Sequence, residues 1–256
     1  MSKQSGLGDR LLIDGYNVSG DIASINDLHG GNAPFIVTGI DKSAIERIGG
    51  QRDGAVDFAS FFNDGGGANR AGAAGSSMVL LSSLPATDRH IMYLRGTTLG
   101  NAGICLIGQQ ADCKASRGAD GSMGFSVQAP ANGYGIECGQ QLTPGILTVT
   151  GAANGASIDL GAVSTLFGLT AYLQVTAFTG TDATITIADS ANDSAYTAVT
   201  GGAFTQITAG PTKERIQTGL SATIRRYLRP QVTTSGGFTS LSYAIVVIRH
   251  LTAVAY

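Results

Sequence analysis

The sequence predicts a mostly β protein: a strand-rich first domain with one short helix, followed by a separate C-terminal β-sandwich. Three observations carry that prediction. Only 13% of the 256 residues are charged, where about 25% is usual, and Gly, Thr, Ser and Ala take up the difference. Short apolar or alternating runs recur between Gly, Pro, Asn, Asp and Ser clusters, spaced in the second half by about 10 to 15 residues. The longest apolar run, residues 244–248, has the length of a buried strand and is far too short to cross a bilayer.

Taken in order, residues 10–18 read as two short strands around Asp14-Gly15, a dipeptide suited to a tight hairpin because both residues tolerate positive φ. Residues 34–40 form a strand pattern. Residues 41–48 read as a helix of at most two turns, with Asp41 as N-cap and Gly49-Gly50 as the stop. Residues 55–62 alternate in part. A Gly/Ala loop spans 65–77, and 76–84 offers a second short helix ending before Pro85. Strands follow at 88–95, 104–107, 122–129 and 134–138. Leu142-Thr143-Pro144-Gly145 reads as a linker, which divides the chain into domains 1–145 and 146–256. Beyond it, 171–178, 184–187, 222–229 and 241–249 are strands whose apolar faces suit two packed sheets.

Composition also excludes functions. A net charge of −2 argues against binding nucleic acid by phosphate neutralisation. Up to Gly145 there are 13 acidic and 10 basic residues, and beyond it 5 and 6, so neither half is a basic module. Cys105, Cys113 and Cys138 form no CxxC pair and, beside three scattered His, make no metal site. They read as free thiols in a reducing cytoplasm. The first residues carry no apolar signal core, so cytoplasmic synthesis without secretion or a membrane span is expected.

No catalytic constellation emerges: His29, His90 and His250 lie in unrelated settings, no carboxylate pair is placed for acid–base work, and no cofactor is implied. Residues 65–70 are Gly-rich but lack the GK[ST] ending of a phosphate loop. Asp189, Asn192 and Asp193 share one turn without EF-hand spacing, and turn chemistry accounts for them. Arg225, Tyr227 and Arg229 alternate onto one strand face with Arg226 opposite, a candidate surface for a glycan or a neighbouring subunit.

The first half resembles the major tail (tail tube) proteins of long-tailed double-stranded DNA bacteriophages, the siphophages. The likeness rests on Gly6-Leu7-Gly8-Asp9 with Ser19-Gly20-Asp21-Ile22, on residues 37–48 with Arg52-Asp53-Gly54, and on Leu84-Pro85-Ala86-Thr87-Asp88. Tyr93-Leu94-Arg95-Gly96, residues 133–139 and 142–145 extend it. The second half resembles β-sandwich domains appended to phage virion proteins, through residues 171–182 and Arg226-Tyr227-Leu228-Arg229. The resemblance implies a tube-forming β-sandwich or barrel domain at 1–145 and an outward decoration at 146–256. It further implies hexameric rings stacked into a tail tube, with other tail proteins as partners and DNA passing unspecifically through the lumen. It places the protein in the virion, assembled in the host cytoplasm. On that reading Asp41, Lys42, Glu46, Arg47, Arg52 and Asp53, a dense charge cluster in a charge-poor chain, pair across subunits. The alternatives are a glycan-binding virion module and another head or tail structural protein.

Overall fold

The computed structural model describes residues 6–63, 87–109, 112–161 and 164–253. Every regular element among them is a strand. In chain order β1 to β9 are Arg10–Ile13, Tyr16–Asn17, Ile22–Ile36, Arg47–Phe61, Arg89–Leu94, Ala102–Gly108, Asp112–Arg117, Met123–Pro130 and Glu137–Gln141. β10 to β18 are Leu147–Val149, Ala153–Asn154, Ile158–Asp159, Leu169–Gly180, Thr184–Ser190, Thr197–Ala203, Thr212–Gln217, Tyr227–Thr233 and Phe238–Arg249. The chain separates into two compact units: Met1–Ser19, His90–Cys105 and Cys138–Tyr256 make unit 1, and Gly20–Arg89 with Leu106–Glu137 makes unit 2.

Unit 1 is a sandwich. One sheet runs β16-β13-β18-β9-β6-β5-β1-β2 with β10 also on β18; the other runs β11-β17-β14-β15 with β12 on β17. Alternation supplies the core. Leu169, Ala171, Leu173 and Val175 of β13 and Tyr243, Ile245 and Val247 of β18 meet Ile185 and Ile187 of β14 and Leu228 and Val232 of β17. The opposite faces of β13 and β18 are buried as well: Tyr172, Gln174, Ala244 and Val246 are fully covered. That double burial is why residues 244–248 are continuously apolar instead of alternating.

The Asp14-Gly15 turn is the hairpin the sequence predicts. β1 pairs with β2, and φ is 53° at Asp14 and 83° at Gly15. This turn abuts β13 and β16. A Cβ on Gly15 would lie 2.5 Å from the Val175 carbonyl oxygen. The Gly15 N–H donates to the Gln174 side-chain oxygen, and Lys213 Nζ meets Asp14 Oδ2 at 2.6 Å.

The segment expected to be a linker lies inside this unit. Leu142 is 1% exposed, its N–H donates to the Ile245 carbonyl at 2.8 Å, and the Ile245 N–H donates to Thr143 Oγ1 at 3.1 Å. The unit boundaries therefore fall elsewhere than residue 145, because strands from both sides of it share one sheet.

Unit 2 holds a four-stranded sheet, β3-β4-β8-β7. Val56 and Phe58 of β4 stand opposite Ala129 and Val127 of β8, and all four are buried, so register and burial agree.

The short helix expected at residues 41–48 is not there. That segment is the tip of the β3–β4 hairpin and already enters β4 at Arg47. The Val37 N–H donates to the Glu46 carbonyl at 3.0 Å and the Glu46 N–H to Thr38 Oγ1 at 2.9 Å. Cross-strand bonds that extend an existing ladder outcompete a two-turn helix, which bears the full nucleation cost for few hydrogen bonds. The second expected helix, at 76–84, lies outside the described residues, as does the loop at 65–77. No helix among the described residues is long and apolar enough to cross a membrane.

Candidate functional site

The most conspicuous surface of unit 2 is the outer part of the β3–β4 hairpin. β8 accompanies β4 only as far as Ala55, opposite Pro130, and the Gly54 carbonyl accepts from the Ala131 N–H at 2.7 Å, so from Asp53 to the tip β3 and β4 pair only with each other among the described strands. The two strands leave the sheet where Gly30 stands opposite Gly54 and Ile136 lies across both. A Cβ on Gly30 would fall 2.1 Å from Ile136 Cγ2, so the crossing needs glycine there. At about 3.4 Å per residue, the paired part beyond this point extends roughly 25 Å.

This arm is apolar as well as charged. Phe35, Ile36, Val37, Ile40, Ile45 and Ile48 are all exposed, Ile40 at 110%. Phe35 stands opposite Ile48, with Val37 next on that face, while Ile36 and Arg47 occupy the other. All six residues singled out for charge lie on the arm. Lys42 Nζ is 3.6 Å from Glu46 Oε1, and Asp53 Oδ1 accepts from the Gly54 N–H at 2.7 Å. Asp41, Arg47 and Arg52 have no side-chain partner among the described residues. Reading residues 34–40 as an ordinary strand missed the exposed apolar set. Apolar residues on both faces of that segment read equally as a strand buried on both sides, as residues 244–248 are, so the sequence did not reveal their exposure.

The second candidate surface is the outer face of the five-stranded sheet in unit 1. Leu228 and Val232 of β17 point into the core, which turns Tyr227, Arg229 and Gln231 outward. The sequence placed Arg225 on this face, but β17 begins only at Tyr227, and alternation does not extend to 225 and 226. Arg225 is consumed by Asp189, at 2.8 Å from Nε, and also donates to Thr197 Oγ1. Arg226 instead joins the outer face. It clamps Asp159 through Nε and Nη2 at 2.7 and 2.6 Å and lies 5.0 Å above the Tyr227 ring. That clamp, with the Gly161 N–H, holds the Asp159 carboxyl down at about 2.

Arg229 differs from both neighbours. Its guanidinium lies over Tyr196, 3.9 Å from the ring centre, and it makes no hydrogen bond or direct ion pair among the described residues, while its charge is felt by Asp193. The Tyr196 hydroxyl donates to Asp193, which also accepts from Ser157 Oγ at 2.6 Å. Those bonds, Ser157's first, depress the Asp193 carboxyl, while burial and the Asp193 bond raise the Tyr196 phenol. Ser157, Asp159 and Tyr196 escaped sequence reasoning, and Asp193 was read as a turn residue, because strand register and the turns beside it bring them to Arg229 only in the folded chain. Asp159 pairs with Tyr227, for example, across 68 positions.

The acidic turn is accounted for by the same contacts: Asp189 serves Arg225, and Asn192 Oδ1 accepts from the Ser194 and Ala195 N–H groups at 3.3 Å. No group of three or more His, Cys, Asp or Glu among the described residues is placed to hold a metal. Cys105 is buried, and Cys113 and Cys138 are exposed free thiols. A groove of about 310 Å³ in unit 1 is lined by Cys138, Leu160, Val247, Arg249 and Leu251 among others.

A scan against protein-family models finds no match, and a search of curated proteins finds none either. Solved structures do match. A chain from the virion of a native gene transfer agent particle aligns with 53% of this chain and 99% of its own, at 12% identity and a TM-score of 0.38. The Dit protein of phage SPP1, described as a hub of the adsorption apparatus in phages infecting Gram-positive hosts, covers 94% of this chain and 99% of its own, at 12% identity and a TM-score of 0.33. A chain of the phage p2 baseplate in its activated conformation covers 94% and 98%, at 9% identity and a TM-score of 0.30. Likenesses this distant carry no assignment by themselves.

Proposed function

We propose that this protein is a non-enzymatic structural subunit of a bacteriophage tail that assembles with copies of itself through the β3–β4 arm. The arm carries the reading. Its six exposed apolar side chains present on the order of 600 Å², close to the ~800 Å² that one partner contributes to a standard interface. Apolar surface of that extent on a slender projection has no use in a monomer and is an aggregation hazard unless covered. Asp41, Arg47 and Arg52, without side-chain partners among the described residues, supply the polar rim that gives such a contact its register.

The finer reading extends the tail tube resemblance. Both edges of the four-stranded sheet, β3 and β7, end without a neighbour among the described strands. Joining edges from copy to copy closes a ring, hexameric in the resembling family, and removes the hazard of open edges. Arms reaching head to tail then stack rings into a tube around a DNA passage, since heterologous contacts propagate. In this scheme the four-stranded sheet and its arm supply the tube wall, and residues 146–256 serve as a decoration of the tube.

The test is sedimentation velocity and negative-stain microscopy of the purified chain, alone and with tail initiator and chaperone proteins. The wild type is expected to give rings or tubes. Ile40→Asp with Ile45→Asp should remain monomeric with an unchanged circular dichroism spectrum. If the wild type stays monomeric at high concentration with those partners present, the proposal fails.

A further inference from the structure

We infer that the outer face of the five-stranded sheet, around Tyr196 and Arg229, is a binding site for a neutral saccharide. This goes beyond assembly through the arm and uses a different unit of the chain.

The first ground is that Arg229 is the member of its arginine cluster whose guanidinium makes no hydrogen bond among the described residues. Arg225 spends its guanidinium on Asp189 and Thr197, and Arg226 spends two nitrogens on Asp159. Arg229 makes no such bond among the described residues, and its Nε is buried without a partner. A buried donor left unpaired calls for an explanation, and a guanidinium locked over a ring cannot swing out to find water on every side. Its rotamer entropy is already spent, so a ligand that meets its nitrogens bears less of that cost on binding.

The second ground is the composition of the surrounding face. Tyr227 and Gln231 flank Arg229 on β17, and register sets Thr186 of β14 and Asn154 of β11 beside Gln231. An aromatic ring, amides and a hydroxyl thus lie on one sheet face held by the strands, and the β14–β15 connection adds Tyr196 beside them. Hydroxyl-rich ligands need this mixture: flat faces for their C–H surfaces, and fixed donors and acceptors for hydroxyls that serve as both.

The third ground is charge, which decides the class of saccharide. Arg225, Arg226 and Arg229 are balanced by Asp189, Asp159 and Asp193, and the two exposed carboxylates, Asp159 and Asp193, sit on the same side as Arg229. A site with no net charge and two carboxylates at its rim does not draw in a uronate or a phosphodiester polymer. It suits a neutral sugar, whose hydroxyls bond to the Asp159 and Asp193 oxygens as readily as to Arg229.

The full-length protein is applied to an array of neutral oligosaccharides built from glucose, galactose, rhamnose or N-acetylglucosamine, beside uronate- and phosphate-bearing ones. At least one neutral oligosaccharide should be retained, with binding unchanged from about 50 to about 500 mM NaCl. Tyr196→Leu and Arg229→Ala should each weaken that binding about tenfold. Lys114→Ala, on the other unit, should leave it intact. Amide shifts of the wild type titrated with the retained oligosaccharide provide a readout that needs no variant, and they should map to residues 186–196 and 227–231. Failure to retain any neutral oligosaccharide overturns the inference. So does retention of acidic ones alone with steep salt dependence, or undiminished binding by Tyr196→Leu and Arg229→Ala. Assembly, read separately by microscopy, is unaffected by any of these outcomes.

Discussion

Ending the chain after Gly145 tests how its two halves are built. If the halves were independent domains, residues 1–145 would fold alone. In the structure that cut removes β13 and β18, onto which β9 and the β1–β2 turn are built. It deletes the β9–β18 pairing at Gln140 and Gln141, the two bonds linking Leu142 and Thr143 to Ile245, and the Gln174 bonds to the Gly15 N–H and the His90 carbonyl. At about 1 kcal/mol net for each bond, these come to roughly 5 kcal/mol. Exposing Leu142, now 1% accessible, adds about 2 kcal/mol, and Asp14, 5% accessible, loses the ammonium of Lys213. The total is comparable with the whole stability of an ordinary domain, about 5–15 kcal/mol. Residues 10–17 and 89–94 should therefore lose hydrogen-exchange protection in the 1–145 fragment, even where unit 2 keeps its own sheet. Protected amides throughout those two segments would refute the reasoning.

Two further outcomes follow from local geometry. Gly15→Ala places a methyl group against the Val175 carbonyl oxygen and the Thr212 nitrogen at a φ of 83°, so it should destabilise the chain by about 2–4 kcal/mol, read as a lower denaturant midpoint. Asp182 accepts from the Ser235 and Gly236 N–H groups and from Gln206 Nε2, and these bonds, Ser235's first, bring its carboxyl down to about 2. Its folded pKa lies below the ordinary 3.8, so its contribution is complete above about pH 4 and is lost as pH falls towards 2. The gap in Tm between wild type and Asp182→Asn should accordingly narrow on acidification; a gap that widens would count against this assignment.

What was legible in the sequence was local. The Asp14-Gly15 hairpin depends on two residues that accept positive φ. The alternation of Thr184 to Ile187 follows from a strand with one face in the core. Residues 41–48 were misread because helix propensity is itself a local quantity, while the hairpin that claimed them is set by pairing between Ile22–Ile36 and Arg47–Phe61. The two candidate surfaces divide in the same way. Charge on the arm was visible, but its exposure was not, since exposure depends on β8 ending at Pro130. Of the outer-face cluster, Tyr227 and Arg229 could be read from one strand, whereas Tyr196, Asp193 and Asp159 could not.

The sequence by itself determined that this chain is built of strands with tight turns, because side-chain alternation and turn chemistry act over a few residues. Only the tertiary structure decided which strands share a sheet, that β9 joins β18 across residue 145, and that the β3–β4 arm stands clear of its sheet. Register between distant strands is settled by the fit of whole faces in the core, and no short stretch of sequence carries that information.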